Sequence, residues 1–204
     1  RIMAAFITSI VICLLVYPWF IRMLRLCNMG QVIRDDGPKS HGKKAGTPTM
    51  GGMLIMLSIL CSSLLWTDLG NPLIWVTLAI GTVFAAVGYV DDFRKLRQRN
   101  SKGLPGRTRL LIEFAVVLGL LGLFLATIGP TLKYDLRLYI PFVSAEKFWL
   151  TLPFALYLAL AAVVIVGTGN SANITDGLDG LLAGPILTAS GTLLILTYIS
   201  GAKL

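Results

Sequence analysis

Three observations predict an all-α polytopic membrane protein with six transmembrane helices. Of the 204 residues, 55% are hydrophobic and only 14% charged, against roughly 25% charged in soluble domains, and the mean hydropathy is +0.78. The apolar residues gather in runs of about 20, the length that crosses a hydrocarbon core of about 30 Å at about 1.5 Å per residue. Most Lys and Arg residues fall in short connections between those runs. In lipid such runs must be helices, because a strand leaves its backbone groups unpaired unless it closes into a barrel. Barrel strands alternate, and these runs do not.

The predicted spans cover residues 2 to 21, 49 to 66, 72 to 90, 110 to 129, 148 to 167 and 181 to 200. The first is read as a retained span, since no short, charge-led apolar segment ends in a small-residue cleavage site. The chain begins at Arg1, not Met, which is read as a missing N-terminal piece. Residues 22 to 48 hold six basic side chains and 91 to 109 hold seven, against five on the opposite side. By the positive-inside rule the N-terminus lies outside, and the connections 22 to 48, 91 to 109 and 168 to 180 face the cytoplasm.

The net charge of +8 suits an anionic membrane surface better than nucleic acid, because the basic residues cluster in two of these loops. Cys13, Cys27 and Cys61 are odd in number and far apart, so they read as small apolar residues, neither a CxxC metal site nor a disulfide framework. The stretch "PTLKYDLRLYIPFVSAEK", 130 to 147, alternates polar and apolar residues in part and predicts a small external hairpin. No internal repeat or low-complexity tract divides the chain, so residues 1 to 204 are expected to form one membrane domain.

Three cytoplasmic connections carry chemistry. In "GYVDDFRK", 88 to 95, Asp91 and Asp92 are adjacent. Two carboxylates about 5 Å apart repel by roughly 3 kcal/mol at an effective dielectric of 20. Either the following "RKLRQR" neutralises them, or they hold a divalent ion such as Mg²⁺, a hard cation that takes oxygen ligands and leaves room for substrate phosphates. In "GTGNSANITDGLDGL", 167 to 181, there is no Lys or Arg. Asn173, Asp176 and Asp179 are spaced i, i+3, i+6, which on a helix fans them over about 120° of one side; ordinary turn and cap chemistry is the alternative. In "DDGPKSHGKKAGTPTMGG", 35 to 52, glycines and threonines run into the second span, where helix N-terminal amides can hold an anion, although the order of a P-loop is absent. His41 is the sole histidine, so a histidine-dominated metal site is excluded within the chain. On the predicted topology all three connections share one membrane face, bringing together acids and cations suited to metal-assisted phosphoryl transfer.

The motifs "GTPTMGG", "VDDFRK" and "GNSANITDGLDGL", in this order between spans, resemble the phospho-N-acetylmuramoyl-pentapeptide transferases, or translocase I, of the polyprenyl-phosphate N-acetylhexosamine-1-phosphate transferase superfamily. The resemblance runs over essentially the whole chain. It implies a Mg²⁺-dependent enzyme of the bacterial cytoplasmic membrane, with its active site facing the cytoplasm. The implied reaction transfers phospho-MurNAc-pentapeptide from UDP-MurNAc-pentapeptide to undecaprenyl phosphate, giving lipid I and UMP for peptidoglycan synthesis. Residue by residue, it implies Asp91, Asp92 and Asp179 as catalytic and metal-site residues. Asn173 and Asp176 would contact the nucleoside, Lys44 and Thr49 would line the site, and Lys95 would face the diphosphate. Arg107 stands where many members have lysine, and a guanidinium fork does not substitute freely for an ammonium.

Family members have about ten spans, whereas this chain ends at Leu204 after six. A third essential aspartate in a later "MGD" motif and a histidine-rich loop therefore have no counterpart here, and the chain is expected to be a fragment lacking C-terminal spans. Asp91 is the expected proton acceptor from the lipid phosphate and Asp92 the expected positioning group. The base role is small if that phosphate, with a second pKa of about 6, is already dianionic, and a covalent aspartyl-phosphate route stays open. The alternatives are an N-acetylglucosamine-1-phosphate transferase of the same superfamily, or a non-catalytic membrane carrier or scaffold. The GxxxG from Gly180 to Gly184 admits a homodimer without assigning its face.

Overall fold

The computed structural model describes residues 1–27, 50–98, 103–132, 134, 136–139, 148–176 and 181–201. Six helices follow in order: α1 (Ile2–Leu26), α2 (Gly52–Trp66), α3 (Pro72–Gln98), α4 (Gly106–Thr127), α5 (Phe154–Thr175) and α6 (Ala183–Gly201). Among the described residues α1, α3, α4 and α5 are long and apolar enough to cross a membrane; α2 and α6 are apolar but fall short of that measure. Leu14 and Leu15 on α1 and Leu111 on α4 are largely exposed. Apolar faces of that kind need hydrocarbon around them, and the architecture is that of a multi-pass, all-α membrane protein.

The chain divides into a unit of residues 1–159 and one of residues 160–204. In the first, α1 packs along α2 around Phe20, Leu24 and Leu54, with Val16 and Met23 against them. Ser58, fully buried on α2, donates to the Ile55 carbonyl at 2.7 Å and meets Ser9 and Cys13 of α1 at 3.3 and 3.2 Å. Lipid offers such hydroxyls no partner, so each finds one on a neighbouring helix, a bond worth about 0.6 kcal/mol on average in membranes. Trp66 Nε1 donates to Thr8 Oγ1 at 3.0 Å, further along the same seam. Where α2 begins, a Cβ on Gly51 would stand 2.8 Å from the Tyr17 hydroxyl, and Met50 before it takes φ 72°, a conformation costly for any residue with a side chain. Helix α3 lies against both α2 and α4. The second unit holds the remainder of α5 and α6.

A two-stranded antiparallel hairpin joins β1 (Arg137–Tyr139) to β2 (Trp149–Thr151), with Leu138 opposite Leu150. The expected hairpin is therefore present, but its second strand comes from the segment predicted as the start of the fifth span. Pro153 is the reason: its ring lacks an N–H and fixes φ, so it suits a helix entry, and its carbonyl accepts the amides of Leu156 and Tyr157. The largest of the other boundary shifts are at the ends of α3 and α5. Helix α3 continues to Gln98 instead of stopping at residue 90, because "DDFRKLRQ" is rich in helix formers and puts Lys95 and Arg97 in the last turn, where cations complement the helix dipole. Helix α5 continues to Thr175 instead of stopping at residue 167, with Asn170 donating to the Val166 carbonyl and Thr175 to that of Ser171. Much of two segments predicted as loops is therefore helix.

Candidate active site

Asp91 and Asp92 stand on α3 just beyond the apolar stretch that ends at Val90, so a helix, and not a loop, fixes their positions. Tyr89 and Phe93, one turn apart on the same helix, stack at 5.9 Å between ring centres and are both exposed, which suits the boundary between lipid and water.

The repulsion anticipated from sequence is offset by Lys95. Its Nζ lies 2.5 Å from Asp91 Oδ2 and 3.3 Å from Asp92 Oδ1, the i, i+4 and i, i+3 spacings that bring helical side chains together. Asp91 Oδ1 accepts the Leu104 backbone amide at 2.6 Å, which fastens the end of α3 to the segment entering α4. Asp91 is thus held at both oxygens with its side chain 14% exposed, while that of Asp92 is 38% exposed.

Gly103 makes this closure possible. A Cβ there would overlap Asp91 Oδ1 and lie 2.6 Å from Asp91 Cγ and 2.9 Å from Lys95 Cε. Because the carboxylate is held from two sides, it cannot yield without losing the Leu104 bond. Gly103→Ala is expected to cost about 1–3 kcal/mol, the usual range for overpacking. It should also speed hydrogen exchange at the Leu104 amide; unchanged exchange and unfolding would contradict the assignment.

Burial pushes the Asp91 carboxyl up, but the hydrogen bond from Lys95, the Leu104 amide and the charges of Lys95 and Arg109 outweigh it, holding the group below its ordinary value of 3.8. A carboxyl depressed in the folded state adds stability above its unfolded pKa and loses that contribution as pH falls through the folded one. The closure between α3 and α4 is therefore at full strength at neutral pH and weakens only below about 3.8. Protection of the Leu104 amide, corrected for its intrinsic exchange rate, should fall across that acidic window. Constant protection would show that the charge on Asp91 does not hold the contact.

One turn into α4, Arg109 Nε donates to Glu113 Oε1 at 2.9 Å; the Arg109 side chain is 17% exposed and that of Glu113 1%. Glu113 is the one buried charged residue among the described residues. Its signals in the sequence were the i, i+4 spacing and its place as the only carboxylate within a predicted span.

Asp91, Asp92 and Lys95 are thus brought together. Arg107 is exposed in the first turn of α4. Asn173, within α5, and Asp176, whose amide donates to the Ala172 carbonyl just past the helix end, belong to the second unit and are both exposed. The expected helical spacing of Asn173, Asp176 and Asp179 runs past the end of α5 at Thr175. Lys44, Thr49 and Asp179 lie outside the described residues. Among the described residues no group of three or more His, Cys, Asp or Glu is set to hold a metal ion. Two adjacent carboxylates nonetheless fit Mg²⁺, which is commonly bound through one or two carboxylates and otherwise keeps water or substrate phosphate. The residues missed by sequence reasoning are Gly103, the Leu104 amide and the contribution of Arg109.

Comparison with known proteins identifies the family. Residues 74–203 match the family described as Glycosyl transferase family 4. The chain is 44% identical over 209 residues to the phospho-N-acetylmuramoyl-pentapeptide-transferase of Sorangium cellulosum (strain So ce56), covering all of this chain and 55% of that protein. Against the enzymes of the same name from Anaeromyxobacter sp. (strain Fw109-5) and Desulfotalea psychrophila (strain LSv54 / DSM 12343), identity is 42% over 223 residues and 41% over 204 residues. The alignments cover 100% and 98% of this chain and 57% and 54% of those proteins. The chain thus spans about half the length of the curated relatives it matches, and the resemblance read from its three motifs is borne out. With the family match covering more than half of its residues, the chain belongs to glycosyl transferase family 4.

Proposed function

We propose that the protein carrying this chain transfers phospho-MurNAc-pentapeptide from UDP-MurNAc-pentapeptide to undecaprenyl phosphate, forming lipid I and UMP in peptidoglycan synthesis. The observation that carries this reading is the Asp91–Asp92–Lys95 cluster on the projecting end of an apolar helix, in a chain alike along its whole length to relatives named for that transfer. We place the reaction at the cytoplasmic face of the bacterial inner membrane, with the six helices as spans and the N-terminus outside. The excess of Lys and Arg on that side supports the orientation.

In the proposed step an oxygen of the lipid phosphate forms a bond to the β-phosphorus of the nucleotide sugar as the bond from that phosphorus to the bridging oxygen breaks, and UMP leaves. Mg²⁺, held by Asp91 and Asp92 with Asp179, would supply neutralising charge on the diphosphate. Lys95 and Arg107 would bind phosphate oxygens. Lys44, Thr49, Asn173 and Asp176 would orient the donor. Both oxygens of Asp91 are engaged and its carboxyl is depressed, which makes it a weak proton acceptor and favours it as an anionic anchor. Asp92, more exposed, is the better placed of the two to take a proton from the lipid phosphate.

The test is UMP release and lipid-linked product formation by the membrane-reconstituted protein, given UDP-MurNAc-pentapeptide or UDP-N-acetylglucosamine with undecaprenyl phosphate. Turnover of the muramoyl donor alone supports the proposal. Turnover of the N-acetylglucosamine donor alone would transfer the protein to the other branch, and no turnover of either would leave a carrier or scaffold.

A further inference from the structure

We propose that Lys95 is a tethered cation standing between Asp91 and Asp92 in the place a divalent ion takes during turnover, and that it competes with that ion before facing the substrate phosphates. This rests on the transferase reading in one respect, that a divalent ion works at the acid pair.

Consecutive residues on a helix point about 100° apart, so two carboxylates meet at one point only if a shared cation draws them there. The Lys95 ammonium does so, touching an oxygen of each. It is a compact point charge with three donors on a flexible stem, and it fills the role that a hard, oxygen-seeking ion would fill. Ammonium and metal repel each other, so they cannot share the position. Lys95 is 36% exposed, and its stem lets Nζ swing away while the helix stays in place. The residue would thus serve twice. It neutralises the acids while the metal is absent, and once displaced it becomes a free cation beside them, where a diphosphate would lie. Binding is reciprocal: whatever Lys95 costs the metal, the metal costs the Lys95 contact by the same factor.

The experiment uses the intact, reconstituted protein without nucleotide or lipid substrate and Mn²⁺ as the spectroscopic probe, read by electron paramagnetic resonance. Lys95→Met is expected to tighten Mn²⁺ binding about three- to tenfold, the scale of a partly exposed ion pair. Lys95→Arg, which keeps the charge, should stay near the wild-type affinity, and Asp92→Asn should lose the site. In the wild-type protein, saturating Mn²⁺ should speed acylation of Lys95 relative to the other lysines, read by mass spectrometry. That arm needs no variant to fold. Equal Mn²⁺ affinity in wild type and Lys95→Met, or acylation indifferent to Mn²⁺, would overturn the competition and leave the transferase reading standing. Absence of Mn²⁺ binding in both proteins would overturn the competition together with the metal part of that reading.

Discussion

Asp91→Asn should lower formation of lipid-linked product by about 10²-fold or more, the usual cost of removing a positioned catalytic charge, while the helices stay folded. The replacement is close to isosteric, and its amide oxygen can still accept the Leu104 N–H that Asp91 receives at 2.6 Å. What disappears is the negative charge opposite Lys95, and with it half of the anionic pair proposed to hold Mg²⁺. A circular dichroism spectrum near that of wild type, together with lost turnover, would separate a chemical role from a structural one, while Leu104 exchange should rise as it does when Asp91 is protonated. Near-normal turnover would remove Asp91 from the machinery. Asp92→Asn supplies the comparison: if Asp92 takes the proton, its loss should be at least as severe.

Arg109→Met should destabilise the protein by about 3 kcal/mol, the low end of what breaking one side of a buried ion pair costs. The low end applies because Arg109 is 17% exposed whereas Glu113 is 1% exposed. The expense arises from the carboxylate, which stays buried while losing the charge-assisted bond from Arg109. Changing both residues, Arg109→Met with Glu113→Leu, should therefore recover much of the loss, because apolar replacements of buried pairs are often close to neutral. Equilibrium unfolding of the two variants in detergent checks both expectations. A single variant as stable as wild type, or a double variant worse than the single, would refute this account of the pair.

The apolar helices were legible because hydropathy reports which residues tolerate lipid. Their ends were less so, since hydropathy falls at Val90 while helix propensity continues through "DDFRKLRQ". The same mismatch hid the polar end of α5, where Asn170 and Thr175 bond to their own preceding turn. Asp91, Asp92 and Lys95 were legible as a cluster because all three lie within about one turn of one helix. Leu104 was not, because it acts through its backbone amide, 13 residues along the chain from Asp91, and the identity of a side chain carries no sign of that. Gly103 left a trace only as a glycine, with nothing to tell a turn from a close approach.

The continuation of α3 through the acid pair also limits how the third span can change. Each residue added to a helix turns everything beyond it by about 100° and lifts it by about 1.5 Å. Lengthening α3 by one residue below Val90 would therefore swing Asp91 away from Leu104 as well as raising it. The span is phase-locked to its own C-terminal end. In thicker or thinner bilayers the protein would have to adapt by tilting, or by deforming the lipid around it.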